Sequence, residues 1–234
     1  MAIIPDKIRM FPIFSGLEER TLQRLASLII ESSAHAGKII FLQGEEARYV
    51  YIVGRGIIRT RRVSPEGKEI TIDYVGPGRI IDPFSAADGN PYTITADALT
   101  NAALYAIGTE EFRRMVEEDR KLCVNLLKEL SGRARRLTEM VEEMALHTVR
   151  TRLARFLLQQ SRHSDQYRPW TQTEIASQIG TVREIVGRIL RDFASQGLIT
   201  RLGGRIVIVD RDRLMEIAQL EGLEKEGWNG NRST

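Results

Sequence analysis

Seven apolar residues, Cys123, Leu127, Leu130, Ala134, Leu137, Val141 and Met144, follow one another at steps of 4, 3, 4, 3, 4 and 3. Lys, Arg and Glu fill most of the gaps between them. A strict 3.5-residue period marks a helix whose narrow apolar seam meets another helix, here a second copy of the chain. A helix lying on its own core ordinarily carries a wider stripe; packing of this face on the chain's own barrel is the alternative. The frame is lost near Leu146–His147. A hinge is expected there, and "ALHTVRTRLARFLLQQS" starts a new helix. A rod of this length divides the rest of the chain into two bodies.

The body before the rod is rich in short strands. Residues 16 to 33 carry helical spacing, with Leu22, Leu25 and Ile29 on one face. From about 36 to 108 the texture changes: glycines recur at 37, 44, 54, 56, 67, 76, 78 and 89, with β-branched runs between them. "EITIDYV" alternates, which predicts a half-buried strand with Ile70, Ile72 and Tyr74 inward. "SPEGKE" before it reads as a turn. Close-spaced short strands predict a small barrel or sandwich.

Beyond the rod, "SRHSDQYRPW" is polar and ends near Pro169, as a loop does. Then comes "QTEIASQIGTVREIVGRILRD". Ile175 and Ile179 stand one helical turn apart, Ala176 is small enough to let a second helix cross closely, and Gly180 accepts the positive φ of a sharp turn. Val186, Ile189 and Leu190 face a core at i, i+3 and i+4. This is a helix-turn-helix pattern, whose second helix lies in the DNA major groove with its N-terminal residues at the base edges. Arg183, Glu184 and Arg188 occupy that stretch. Arg can grip guanine O6 and N7 with two hydrogen bonds, and Glu can accept from the cytosine amino group. A solvated helix face would account for the charges, but not for Ala176 and Gly180 as well.

The remaining candidates are contacts to the DNA backbone. Gly187 is expected to let the helix come close to DNA. "LITRL" and "RIVIV" flank Gly203–Gly204 as a two-residue hairpin, a wing with Arg201 and Arg205 beside its tip and suited to phosphate. Thr171 and Thr173 start the first helix of the motif as caps or as phosphate ligands, and Thr181 precedes the second. The predicted architecture is α+β. Residues 1–116 form a β-roll sensor, 117–146 the dimerisation helix and hinge, 147–221 a winged helix-turn-helix domain, and 222–234 a flexible tail.

Composition narrows the classes. The 34 Lys and Arg against 31 Asp and Glu leave a net charge of only +3, which permits a nucleic-acid partner without demanding one. One cysteine, Cys123, excludes an internal disulfide and a CxxC metal site; it fits either a small hydrophobe in the seam or an inter-subunit redox point. The start "MAIIPDKIRMFPIF" lacks a basic n-region followed by a long apolar run, and no apolar stretch approaches a membrane span, so a cytoplasmic protein is expected. There is no P-loop, no G-x-S-x-G and no metal-spaced His/Cys cluster; neither an enzyme nor a metal or cofactor is expected.

A roll, a long dimer helix and a winged helix-turn-helix together resemble the CRP/FNR family of bacterial transcription regulators, over residues 11 to about 212. "YIVGRGIIRTRRVSPEGKEITIDYVGPGRI" is similar to the family's cyclic-nucleotide-binding roll, a double-stranded β-helix or jelly roll. "REIVGRIL" is similar to the recognition helix of its cyclic-AMP-receptor branch, in which R-E-x-x-x-R reads TGTGA. The FNR branch has Glu-x-x-Ser-Arg, and this chain has Gly187 where that Ser would stand. The resemblance implies a homodimer on a TGTGA-N6-TCACA-like palindrome, with half-sites about 34–36 Å apart and RNA polymerase as a partner. In the cyclic-AMP cassette a Glu takes the ribose and an Arg the phosphate. Here "RIIDPFSAADGNPYTITADA" puts Asp82 at the Glu position and Tyr92, followed by Thr93, at the Arg position. A buried phosphate without its arginine loses a bidentate contact, so the expected effector is a small molecule other than cyclic AMP, or none. Its candidate pocket is Asp82, Tyr92 and Thr93 with Leu137, Thr138 and Val141. Of His35, His147 and His163, none falls where the family's carbon-monoxide sensors keep a haem ligand; haem through another ligand set stays open.

Overall fold

The computed structural model describes residues 8–67, 69–161, 170–202 and 204–219. They form two units, divided at Thr138/Glu139.

In the first unit a 3-10 turn, Pro12–Phe14, leads into α1 (Glu19–Leu28), which buries Leu22, Leu25 and Ala26. The helical spacing does not continue to residue 33. Ile29 is extended, and β1 (Ile30–Ala34) pairs with β7 (Ala102–Gly108) from Ile30↔Ala106 to Ala34↔Ala102. Ladder pairing overrides local spacing where Ile29 and Ile30 are β-branched and Ser32 and Ser33 are weaker helix formers. The other strands are β2 (Ile39–Phe41), β3 (Tyr49–Arg55), β4 (Ile58–Val63), β5 (Glu69–Val75) and β6 (Thr95–Ala98). They build two antiparallel sheets, ordered β1-β7-β3 and β2-β6-β4-β5. Val53, Ala102 and Leu104 of the first share a buried cluster with Phe41, Ile58, Val75 and Ala96 of the second. This is the core of the roll, and small alanines let the sheets meet closely. Val50, Ile52 and Ile107 join a second cluster, with Phe11, Phe14, Leu22 and Leu25, Phe112 and Met115 of α3 (Thr109–Glu118), and Leu122 and Leu126 of α4 (Arg120–Leu146). Another short helix, α2 (Pro83–Asp88), stands between β5 and β6.

Strand β5 alternates as expected, but its buried positions are Thr71 and Val75; Ile70, Ile72 and Tyr74 are only half-buried. The polarity of the sequence pointed to the wrong face because Asp73, between Thr71 and Val75, is neutralised in place. Its carboxylate takes Arg79 at 3.1 Å and also pairs with Arg133 of α4, a side chain only 2% exposed. Arg133 donates as well to the Ile81 carbonyl at 2.9 Å. Glu129 lies 3.4 Å from Arg79.

Helix α4 turns Leu122, Asn125, Leu126 and Arg133 inward. Of the expected seam, Leu127, Ala134 and Val141 are exposed, whereas Cys123, Leu130, Leu137 and Met144 are half-buried and Leu130 packs on the chain's own core. The helix breaks at His147–Thr148, where the Thr148 hydroxyl accepts from the Thr151 N–H.

In the second unit α5 (Val149–Ser161), α6 (Gln172–Gln178), α7 (Arg183–Ser195), the β8 (Ile199–Leu202) and β9 (Arg205–Ile208) hairpin, and α8 (Arg211–Ala218) enclose one core. Leu153, Phe156, Leu157, Ile175, Val186, Leu190, Phe193, Leu198 and Leu214 fill it. The expected tail, Pro169, His163 and Gly203 lie outside the described residues. No helix among the described residues is long and apolar enough to cross a membrane.

Candidate nucleic-acid interface

Helix α6 starts on a capping box. Thr171 accepts from the Glu174 N–H at 3.2 Å, and the Glu174 carboxylate accepts from the Thr171 N–H at 2.8 Å. The Thr171 hydroxyl is therefore a cap; Thr173, one turn-start later, is exposed. Ile175, Ala176 and Ile179 are buried. Gly180 turns the chain at φ +65°, a region closed to most side chains, and the Thr181 N–H closes the turn on the Ala176 carbonyl at 2.9 Å. Thr181 itself is half-buried.

Helix α7 is anchored by Val186, Leu190 and Phe193 and turns its other side to solvent. Arg183, Glu184 and Arg188 all stand exposed on it, and none has a hydrogen-bond or ion-pair partner among the described residues. Val182 caps the helix without a side-chain acceptor, so its first N–H groups keep their positive end open to an anion. The one acidic group further along, Asp192, is paired with Arg150, whose hydrogen bond holds that carboxyl below the usual range. Arg191 lies at i+3 from Arg188 and i+7 from Glu184, on the same face, exposed and unpaired among the described residues. The sequence reading missed it, though the i, i+4, i+7 spacing carries the signal. Three arginines against Glu184 give this surface a net positive charge.

Gly187, expected to let the helix come close to DNA, does not open to solvent. It is buried, and a Cβ there would sit 2.9 Å from the Gln172 side-chain oxygen. The neighbour it faces is the end of the Gln172 side chain, at the start of α6. The hairpin pairs Leu202 with Arg205, leaving two residues at the tip, with Gly204 at φ +80°. Arg201 and Arg205 are both exposed beside it.

In the first unit the structure does bring Asp82, Tyr92 and Thr93 together, as a packed cluster. Asp82 caps α2 through the Phe84 N–H and accepts from the Ser85 hydroxyl and from the Thr93 N–H, at 2.8 Å, and hydroxyl. Its oxygens thus take four donors of the chain itself. The Tyr92 ring stacks on Phe41, and its hydroxyl donates to the Tyr49 carbonyl at 2.6 Å. No hydrogen bond among the described residues joins these three to Leu137 or Thr138, and the Thr138 hydroxyl donates to the Ala134 carbonyl of its own helix. Val141 stands 66% exposed in the second unit.

Comparison with known proteins gives two family matches, "Cyclic nucleotide-binding domain" over residues 31–119 and "Crp-like helix-turn-helix domain" over 151–217. The chain is 31% identical over 180 residues to the transcriptional regulator LdrP of Thermus thermophilus, covering 73% of this chain and 88% of that protein. It is 27% identical over 215 residues to a CRP-like cAMP-activated global transcriptional regulator of Mycobacterium tuberculosis, covering 88% and 96%. A solved structure of a CRP/FNR-family regulator from Eubacterium rectale superposes with a TM-score of 0.78 at 23% identity, over 89% of this chain and 98% of the other, a likeness of fold.

Proposed function

Since the chain belongs to the CRP/FNR family of DNA-binding transcription regulators, we propose that it acts as a homodimer on a TGTGA-N6-TCACA-like palindrome, without cyclic AMP as its effector. One observation carries the DNA reading: Arg183, Glu184 and Arg188 are exposed, unpaired and displayed on a helix fixed from beneath by Val186, Leu190 and Phe193. In the major groove the two arginines suit guanine and the glutamate suits cytosine. Arg191 adds a further cation on the same face. Thr173, Thr181, Arg201 and Arg205 supply phosphate contacts, which position the domain without reading sequence, while Thr171 holds the start of α6 as its cap. RNA polymerase is the partner such a regulator would meet.

The packed cassette supports the second half of the proposal. By the family resemblance Tyr92 would stand where the phosphate-binding arginine does, and its ring is stacked on Phe41 while Asp82 is engaged by its own chain. Control by an effector of another kind and activity without any effector are both compatible with that packing.

Fluorescence anisotropy on the palindrome and a scrambled duplex, with and without cyclic AMP, tests both halves. The expected result is a preference for the palindrome that cyclic AMP does not change. Arg188→Ala and Glu184→Ala should each cut that preference by about 1–3 kcal/mol. Preference only with cyclic AMP would overturn the effector reading, and equal binding to both duplexes would overturn the base readers.

A further inference from the structure

The motif "VRTRLAR" places three arginines on α5, and none of them is placed to touch DNA by the reading above. We infer that Arg152 is a positioning residue that locks the end of the long helix to the base-reading helix and so sets the half-site spacing the dimer accepts; the spacing part rests on the proposed DNA reading.

A guanidinium presents five N–H donors in one plane. In Arg152 three nitrogens reach four backbone carbonyls. The Nη1 donates to His147 at 2.8 Å and Met144 at 3.3 Å, Nε donates to Ile179 at 2.9 Å, and Nη2 donates to Gly180 at 3.4 Å. The first two carbonyls lie at the C-terminal end of α4, where the last turn lacks helical donors and carries the negative end of the dipole. The other two lie in the turn between α6 and α7. One side chain therefore satisfies two separate chain ends and ties them together. All five residues belong to the second unit.

Two neighbours brace the same joint. Arg155 pairs with Glu143 of α4 and donates to the Ala218 carbonyl of α8 at 2.8 Å. Arg150 holds Asp192, reaches Gln196 at 3.1 Å and lies over the Phe193 ring of α7. The last turns of α4, the turn before α7 and the far half of α7 are thus strapped to α5. In a two-fold dimer joined along α4, the direction of α7 relative to the α4 end fixes the distance between the two reading helices. One base pair more or less in the spacer rotates a half-site by about 34°. A rigid joint penalises that change, and a loose one tolerates it.

The test compares the full-length protein with Arg152→Lys and Arg152→Met. Lys keeps the charge, but its single nitrogen cannot span both carbonyl pairs. Anisotropy is measured on TGTGA/TCACA duplexes with spacers of six base pairs and of one fewer or more, and on a half-site base change at the six-base spacer. The wild type should prefer its spacer by about tenfold or more, and the variants by about threefold or less, while the penalty for the base change stays the same. A merely structural role would weaken every duplex together; spacer preference unchanged in the variants overturns the inference. Hydrogen exchange gives a readout without DNA. Amides of residues 144–152 and of 179–182 should lose protection together in Arg152→Lys, with α8 unaffected, and loss confined to one segment overturns the coupling. If Arg152→Met fails to fold, Arg152→Lys decides both measurements. A wild type with no preference for TGTGA sinks the DNA reading, and the exchange result still judges the joint.

Discussion

The ring of Tyr92 lies 3.7 Å from that of Phe41, centroid to centroid and 15° from parallel. Burial pushes the Tyr92 phenol well above its usual range, only partly offset by the Tyr49 N–H that donates to its oxygen, and burial raises Tyr51 as well.

The folded chain therefore holds the Tyr92 proton at a pH where the unfolded chain has released it. That stabilisation is complete below about pH 10, the unfolded value, and is lost as pH rises toward the folded one. Alkaline unfolding should begin above about pH 10, with the tyrosinate absorbance of Tyr92 appearing only as circular dichroism reports loss of structure. Tyr92→Phe should cost about 1 kcal/mol at neutral pH through the lost hydrogen bond, and should remove part of the alkaline slope. An unchanged slope would mean that the phenol is not sealed in the fold.

Asp73 answers to several cations at once. Arg79 and Arg133 donate to it, and Arg136 lies 3.5 Å away. Burial pulls the Arg133 pKa down while Asp73 opposes that effect. Removing one partner of a buried pair leaves an uncompensated charge, at a cost of about 3–5 kcal/mol. Asp73→Asn, which strands the buried Arg133, should lower stability to urea by about that much, and Arg133→Met should cost less, because Arg79 and Arg136 still face Asp73. The double variant Asp73→Leu with Arg133→Met should lose clearly less than the sum of the two. Additive losses would show that the pair is not coupled.

How far the sequence anticipated these arrangements depends on the range of the interaction. The helix-turn-helix was legible because its signals are local: Ala176, Gly180, Val186 and Leu190 each carry one steric demand within about 20 residues. The break after Leu146 was legible in the same way, as loss of a period. The inward face of β5 was not, since nothing near Asp73 in sequence announces Arg133, which sits 60 positions on. Likewise Gly187 looked like a door for DNA until Gln172 was found above it. The role of Arg152 was not legible either, because its acceptors are backbone carbonyls, and those have no sequence signature.

Gly187 yields a prediction opposite to the one drawn from its position in the motif. An added Cβ meets the far end of the flexible Gln172 side chain and, at 3.6 Å, that of Arg191, and alanine is favoured over glycine in a helix by about 1 kcal/mol. Gly187→Ala should leave thermal stability unchanged or raised, with binding to the palindrome within about threefold of wild type. A large loss of DNA binding in a stable Gly187→Ala protein would restore the close-approach reading.

On α4, Leu127 is 56% and Val141 66% exposed, with Ala134 between them at heptad spacing. Exposed apolar residues repeating every seven positions suit a second copy of the same helix. Leu127→Glu should convert the protein from dimer to monomer in sedimentation velocity at micromolar concentration, with little loss of helix signal. The same change placed at exposed Arg135, off the seam, serves as a control. A wild type that sediments as a monomer would remove the seam from consideration.

The wing separates affinity from specificity. Arg201 and Arg205 are exposed beside a tip closed by the Leu202–Arg205 pair, on the hairpin rather than on the helix that carries Arg188. A phosphate contact releases counterions, so each one adds about 0.9 to the slope of log affinity against log salt. In a two-fold dimer every such arginine counts twice. Arg205→Ala should therefore flatten the slope by about 2 and weaken palindrome and scrambled duplexes by the same factor, leaving their ratio intact. Arg188→Ala should do the reverse in kind, collapsing the ratio. Anisotropy titrations from low to moderate salt measure both quantities in one series. If Arg205→Ala changes the ratio and not the slope, the wing reads bases, and the division of labour between hairpin and helix has to be redrawn.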